Sequence, residues 1–248
     1  MQCFQEYGKP SLEFQEVELQ DNGLYSATCS NGHKTLTILQ EQKFEILFDF
    51  GALALLDGYP REAVTSMAAA LERFYEFYIS VICIKNNIDI TNLKKTWKHV
   101  ASQSERQFGA YLFTFLIDHK GSEPPIIDNR KPSFTDISKK NTKNWKEFRN
   151  AVVHKGYIPT YLETLEYGNI VYCHINELIT DLKERSSDSM QKVTFHHIAR
   201  ANEVADKRVV STMSIPTLVS LTRGEKAPET FEEALESIKK YRKWLHHK

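Results

Sequence analysis

Arg149 and His154 lie five residues apart in the stretch from Trp145 to Tyr157, Trp-Lys-Glu-Phe-Arg-Asn-Ala-Val-Val-His-Lys-Gly-Tyr. A guanidinium stays charged at any working pH and offers a planar fork to an oxyanion. An imidazole titrates near pH ~6.5 and can take or give a proton. On a helix turning about 100° per residue, Trp145, Phe148 and Val152 share one face and bury together, so packing requires neither Arg149 nor His154. Asn150 precedes His154 by one helical turn, where its amide is expected to orient the ring. Arg149 and His154 are separated by roughly 140° around the same helix. They converge on one small ligand if the helix stops at the histidine, or if a second copy faces the first. Gly156 and Pro159 supply the stop, and a two-fold dimer would supply the facing copy.

The elements that must position this pair are read from hydrophobic period. Phe44, Leu47, Phe48, Ala52 and Leu55 mark one helix. After the Asp57-Gly58-Tyr59-Pro60 break, a second helix over about 60–86 is apolar nearly all round and is expected to be the central one. Glu72 and Glu76 sit one turn apart on it, and carboxylates there need partners. They are expected either to pair with neighbouring Arg and Lys residues or to anchor Arg149 or His154. Shorter helices are expected over about 92–100 and 105–118, then a proline-rich loop over 121–133, then a long helix over 160–185. Residues 11–40 alternate around two Asn-Gly steps and predict a three-stranded antiparallel meander. Ser186 to Ser189 reads as a linker. Beyond it, 193–197 and 208–213 look extended, and Thr230-Phe-Glu-Glu233 is a capping box opening a final amphipathic helix. The fold expected is mainly α, a helical bundle over 42–185 with a small β-meander over 1–41 and an α+β appendage over 186–248.

Lys+Arg and Asp+Glu both number 32, so no global field advertises nucleic acid. Locally, residues 130–155 hold eight cations, Lys139, Lys140, Lys143, Lys146 and Lys155 among them, against two carboxylates. Neutralising phosphate is an economical reason to concentrate lysine beside the Arg-His pair. The four cysteines are scattered and form no disulfide framework. Cys29 and His33 flank a turn as in half of a zinc ribbon, but structural zinc takes four ligands and the only other nearby candidate is Cys3. The expectation is a plain hairpin turn and no cofactor. No stretch is apolar enough to span a membrane, no signal peptide is evident, and a cytoplasmic protein is expected. No phosphate-binding loop, dinucleotide glycine pattern or Gly-x-Ser-x-Gly elbow occurs, which removes the ATPase, dehydrogenase and esterase readings.

Arg149-Asn150-x-x-x-His154 resembles the Arg-x(4–6)-His motif of the HEPN superfamily (higher eukaryotes and prokaryotes nucleotide-binding), in which a polar residue often follows the arginine. The resemblance covers about 42–185. It implies a metal-independent ribonuclease acting as a homodimer, commonly in toxin or antiviral systems, with RNA as substrate and a regulatory protein as a further partner. His154 would serve as base or acid, Arg149 would offset charge on the phosphorane, and Asn150 and Tyr157 would support them. Some family members carry a tyrosine two residues after the histidine that a partner nucleotidyltransferase modifies; Tyr157 stands three after, with Lys155-Gly156 between. The alternative reading is a catalytically silent dimer of this type that binds RNA, a nucleotide or a protein.

Overall fold

In a computed structural model, the structure describes residues 2–9, 17–133, 144–205, 209–223, 228 and 230–246. The chain divides into two units, one formed by 1–42 with 191–216 and the other by 43–190 with 217–248.

The larger unit is helical. α2 (Lys43–Leu56) and α3 (Pro60–Lys85) form an antiparallel hairpin across Gly58, whose φ of 82° suits the turn. Phe44, Phe48, Ala52 and Leu55 of α2 share the buried face that period 3.6 dictates. α3 is buried nearly all round, as its composition predicts, and Pro60 occupies its first turn. α4 (Ile90–Trp97) is capped by Asp89, which accepts the Thr91 and Asn92 amides. α5 (Ser104–Asp118) packs on α3 through Tyr111, which stacks on Tyr75 at 4.2 Å. The proline-rich loop then reaches the start of α6 (Trp145–Lys155): Asp128 and Arg130 carbonyls accept the Lys146 and Trp145 amides.

α7 (Tyr161–Val204) runs through the predicted linker. Ser186 leaves helical geometry (φ −147°, ψ 26°), so the expected end of the 160–185 helix appears as a kink, and helix resumes after it. Ser186 and Ser189 are buried rather than solvated, which is why four small polar residues do not act as a linker here. Residues 193–197, expected to be extended, are helical. α8 (Phe231–His246) opens on the capping box as expected, with reciprocal bonds between Thr230 and Glu233. Phe231 packs against Phe48 and Tyr172. Buried Glu45 and half-buried Asp49 of α2 accept the Leu221 and Leu218 amides and hold the approach to α8 in this unit.

The smaller unit contains α1 (Gln2–Tyr7), β1 (Leu24–Thr28), β2 (Lys34–Leu39), β3 (Val209–Met213) and the last turns of α7. β1 and β2 are the expected antiparallel hairpin, with Tyr25 opposite Thr37. The third strand is not the expected one: β3 lies parallel to β2, with Leu36 opposite Val210, so the sheet is mixed. Most of the expected strand over 12–19 falls outside the described residues, and 17–20 carry no regular structure. His197, on helix rather than strand, donates from Nε2 to the Leu39 carbonyl at 2.8 Å. The expected appendage over 186–248 is thus not one piece, because 191–216 completes the sheet unit and 217–248 belongs to the helical one. Among the described residues, no helix is long and apolar enough to cross a membrane.

Candidate functional site

α6 is bounded by its own residues. Asn144 accepts the Glu147 amide at the start, and Gly156 closes the end in the left-handed conformation (φ 72°) while the Tyr157 amide reaches back to the Ala151 carbonyl. Trp145, Phe148 and Val152 are buried as the helical projection predicts, with Trp145 and Phe148 packed on Tyr167 of α7. Burying that face fixes the rotation of α6. It turns Arg149 toward α3 and leaves His154 exposed at the helix end.

Arg149 keeps only 15% of its side chain exposed. Its Nη1 lies 3.7 Å from Glu72 of α3, and its Nε and Nη2 donate to Asn150 Oδ1 at 3.3 and 3.1 Å. Asn150 therefore orients the arginine and not the imidazole. Of Glu72 and Glu76 on α3, Glu76 pairs with Arg73 at 2.6 Å, leaving Glu72 as the acid at Arg149. Tyr157 does not face the cleft as a free donor: its hydroxyl donates to Glu163 at 2.8 Å. Glu163 also accepts from the Thr160 amide and hydroxyl, so Thr160-x-x-Glu163 is a second capping box, which opens α7. That spacing was readable in the sequence.

A narrow cleft lies beside Arg149, lined by Glu72, Tyr75, Glu105, Asp128, Lys146 and Arg149 among others. Burial pushes the Glu72 carboxyl up, and Arg149, Arg73 and His154 pull against that without cancelling it. Burial likewise raises Asp128 against the pull of Arg149 and Lys146. Glu105 is held below the usual carboxylate range by hydrogen bonds from its own amide and the Ser104 hydroxyl. The cleft thus sets three carboxylates around two cations. Glu105 and Asp128 had no local signature, since one begins a helix and the other sits in a loop, and only packing brings them to Arg149. Lys146 and Lys155 are exposed on α6; Lys139, Lys140 and Lys143 lie outside the described residues.

Beneath the cleft, Tyr75 meets the buried His174 of α7, hydroxyl to Nε2, at 3.1 Å. Burial, then the charge of Arg130, lowers the His174 pKa to about 4, so the ring is neutral. In the smaller unit, Cys29 and His33 are not simply a hairpin turn: Cys3 of α1 meets them, and the three ligand atoms lie within 4.8 Å of one another.

The chain matches no protein-family model, no curated protein and no solved structure.

Proposed function

We propose that the helical unit is a metal-independent endoribonuclease of HEPN type, acting as a homodimer in the manner of toxin and antiviral effectors. The observation that carries this reading is Glu72, whose carboxylate lies 3.7 Å from Arg149 and within electrostatic reach of His154. One acid thereby meets a largely buried, oriented guanidinium on the helix that carries an exposed imidazole five residues on. Arginine has five donors, and the bonds to Asn150 leave Nη hydrogens for a phosphate. Exposed Lys146 and Lys155 on the same helix suit the flanking phosphates.

In the proposed reaction the His154 imidazole takes the proton of a ribose 2′-hydroxyl. The oxygen attacks the adjacent phosphorus while Arg149 offsets charge on the equatorial oxygens. The 5′-oxygen leaves with a proton from the second copy's protonated imidazole, the imidazolium, giving a 2′,3′-cyclic phosphate and a free 5′-hydroxyl. Ile158 and Leu162, 73% and 72% exposed, follow His154 closely in the chain and offer apolar surface for the second copy.

The carboxylates of the cleft favour a second reading, a silent dimer that binds RNA or a nucleotide away from the cleft, because Glu72, Glu105 and Asp128 repel a phosphate that approaches Arg149. The test is purified full-length protein incubated with total RNA in EDTA, beside His154→Ala. Cyclic-phosphate fragments from the wild type alone support the nuclease. Intact RNA that both proteins retard equally in a gel supports the silent binder, and neither cleavage nor binding removes both readings.

A further inference from the structure

We propose that Cys3, Cys29 and His33 bind one zinc ion, a site separate from the Arg149 cleft. The hairpin positions two of the ligands: Thr28 pairs with Lys34, the Gly32 amide donates to the Cys29 carbonyl, and the Cys29 amide to that of His33. Cys29 and His33 are therefore held on either side of one turn. Cys3, buried on α1, completes the triangle, with Cys3 Sγ 3.4 Å from Cys29 Sγ and 3.2 Å from His33 Nδ1, and Cys29 Sγ 3.5 Å from the same nitrogen.

These separations suit three ligands of one metal as well as direct hydrogen bonds, and they exclude a covalent bond between the sulfurs. A disulfide holds its sulfurs about 2.0 Å apart, and both cysteines are free. Zinc bonds of about 2.3 Å to sulfur and about 2.0 Å to nitrogen place tetrahedral ligands roughly 3.5–3.8 Å from one another. The observed edges fall within a few tenths of an ångström of that.

The tautomer agrees. His33 Nε2 lies 2.9 Å from Glu6 Oε2, and an ionised carboxylate only accepts, so Nε2 carries the hydrogen. Nδ1 then presents a bare lone pair between the two sulfurs. A carboxylate behind a ligating imidazole is the arrangement that orients and strengthens such a ligand. Asn31 Nδ2 lies 3.5 Å from Cys3 Sγ, within reach as a donor to a thiolate.

Two thiolates and an imidazole select zinc over magnesium or calcium. Among the described residues no fourth such ligand joins them. The ion would staple α1, a six-residue helix too short to persist alone, to the β1–β2 turn.

The test uses the full chain purified without chelator. Elemental analysis should find one zinc per chain. Cobalt(II) added to the stripped protein should give tetrahedral visible bands and a near-ultraviolet thiolate charge-transfer band. Cys3→Ser and Cys29→Ser should each lose the bound zinc and weaken that band while keeping the helical circular dichroism of the larger unit, and Cys83→Ser should change neither. Glu6→Gln keeps all three ligands and should bind about 10–100-fold more weakly. Trace zinc with no cobalt band in the wild type overturns the proposal. So does a band that survives Cys29→Ser, or a Cys3–Cys29 disulfide in freshly purified protein.

Discussion

At Glu72, burial favours the protonated acid while Arg149 favours the carboxylate, and burial prevails. Arg149 and His154 consequently make different demands on the fold. His154 is exposed at a helix end, so His154→Ala should leave stability within about 0.5 kcal/mol. On the nuclease reading it should still lower cleavage by about 10²–10⁴-fold. Arg149→Lys keeps the charge but not the fork held by Asn150 and Glu72, and should fail to restore cleavage. Chemical denaturation beside a cleavage assay separates the two effects; equal loss of stability in both variants would mark a structural role. His174 gives a prediction about pH. Its folded pKa of about 4 lies below the unfolded value of 6.5, so the unfolded chain binds the extra proton as pH falls between them. Stability is therefore full above about pH 6.5 and drops by roughly 3 kcal/mol as pH approaches 4. Denaturant midpoints at several pH values should show this slope, and His174→Gln should flatten it.

Two glycines inside helices should respond oppositely to alanine, because one faces a neighbour and the other faces open space. A Cβ at Gly168 of α7 would lie 2.5 Å from Phe231 Cε1 and 3.1 Å from Met67 Sδ. Gly168→Ala should therefore cost about 1–3 kcal/mol by forcing α8 away from its seat. Nothing lies within 4 Å of a Cβ at Gly109 in α5, so Gly109→Ala should gain roughly 0.5–1 kcal/mol from helix propensity. Urea titrations of the two variants settle both signs. The same distinction governs what could be read from the chain at this scale. α2, α3, α5 and α6 follow apolar period and capping residues, which are local. The helix through 186–189 does not: two buried serines override a composition that reads as a linker.

For the whole molecule, the proposed dimer makes a claim independent of either catalytic residue. Ile158→Glu combined with Leu162→Glu places charge on surface already exposed, so the fold should tolerate it. Analytical ultracentrifugation should show wild-type dimers and a monomeric variant, and the variant should lose cleavage with Arg149 and His154 intact. A monomeric variant that cuts RNA as well as the wild type would remove the dimer from the mechanism. By itself, the sequence determined the mainly helical character, the β1–β2 hairpin and the C-terminal end of α6, because hydrophobic period and turn glycines act over a few residues. It also placed Arg149 and His154 on one helix and Cys29 beside His33. Only the tertiary structure decided that β3 joins β2 from more than 170 residues away, that Glu72 rather than Glu76 meets Arg149, that Asn150 serves the arginine, and that Cys3 completes a triangle of ligands. Apart from the Asn150 contact, which joins chain neighbours, those outcomes depend on which buried faces pack together, and local spacing carries no information about a partner distant in the chain.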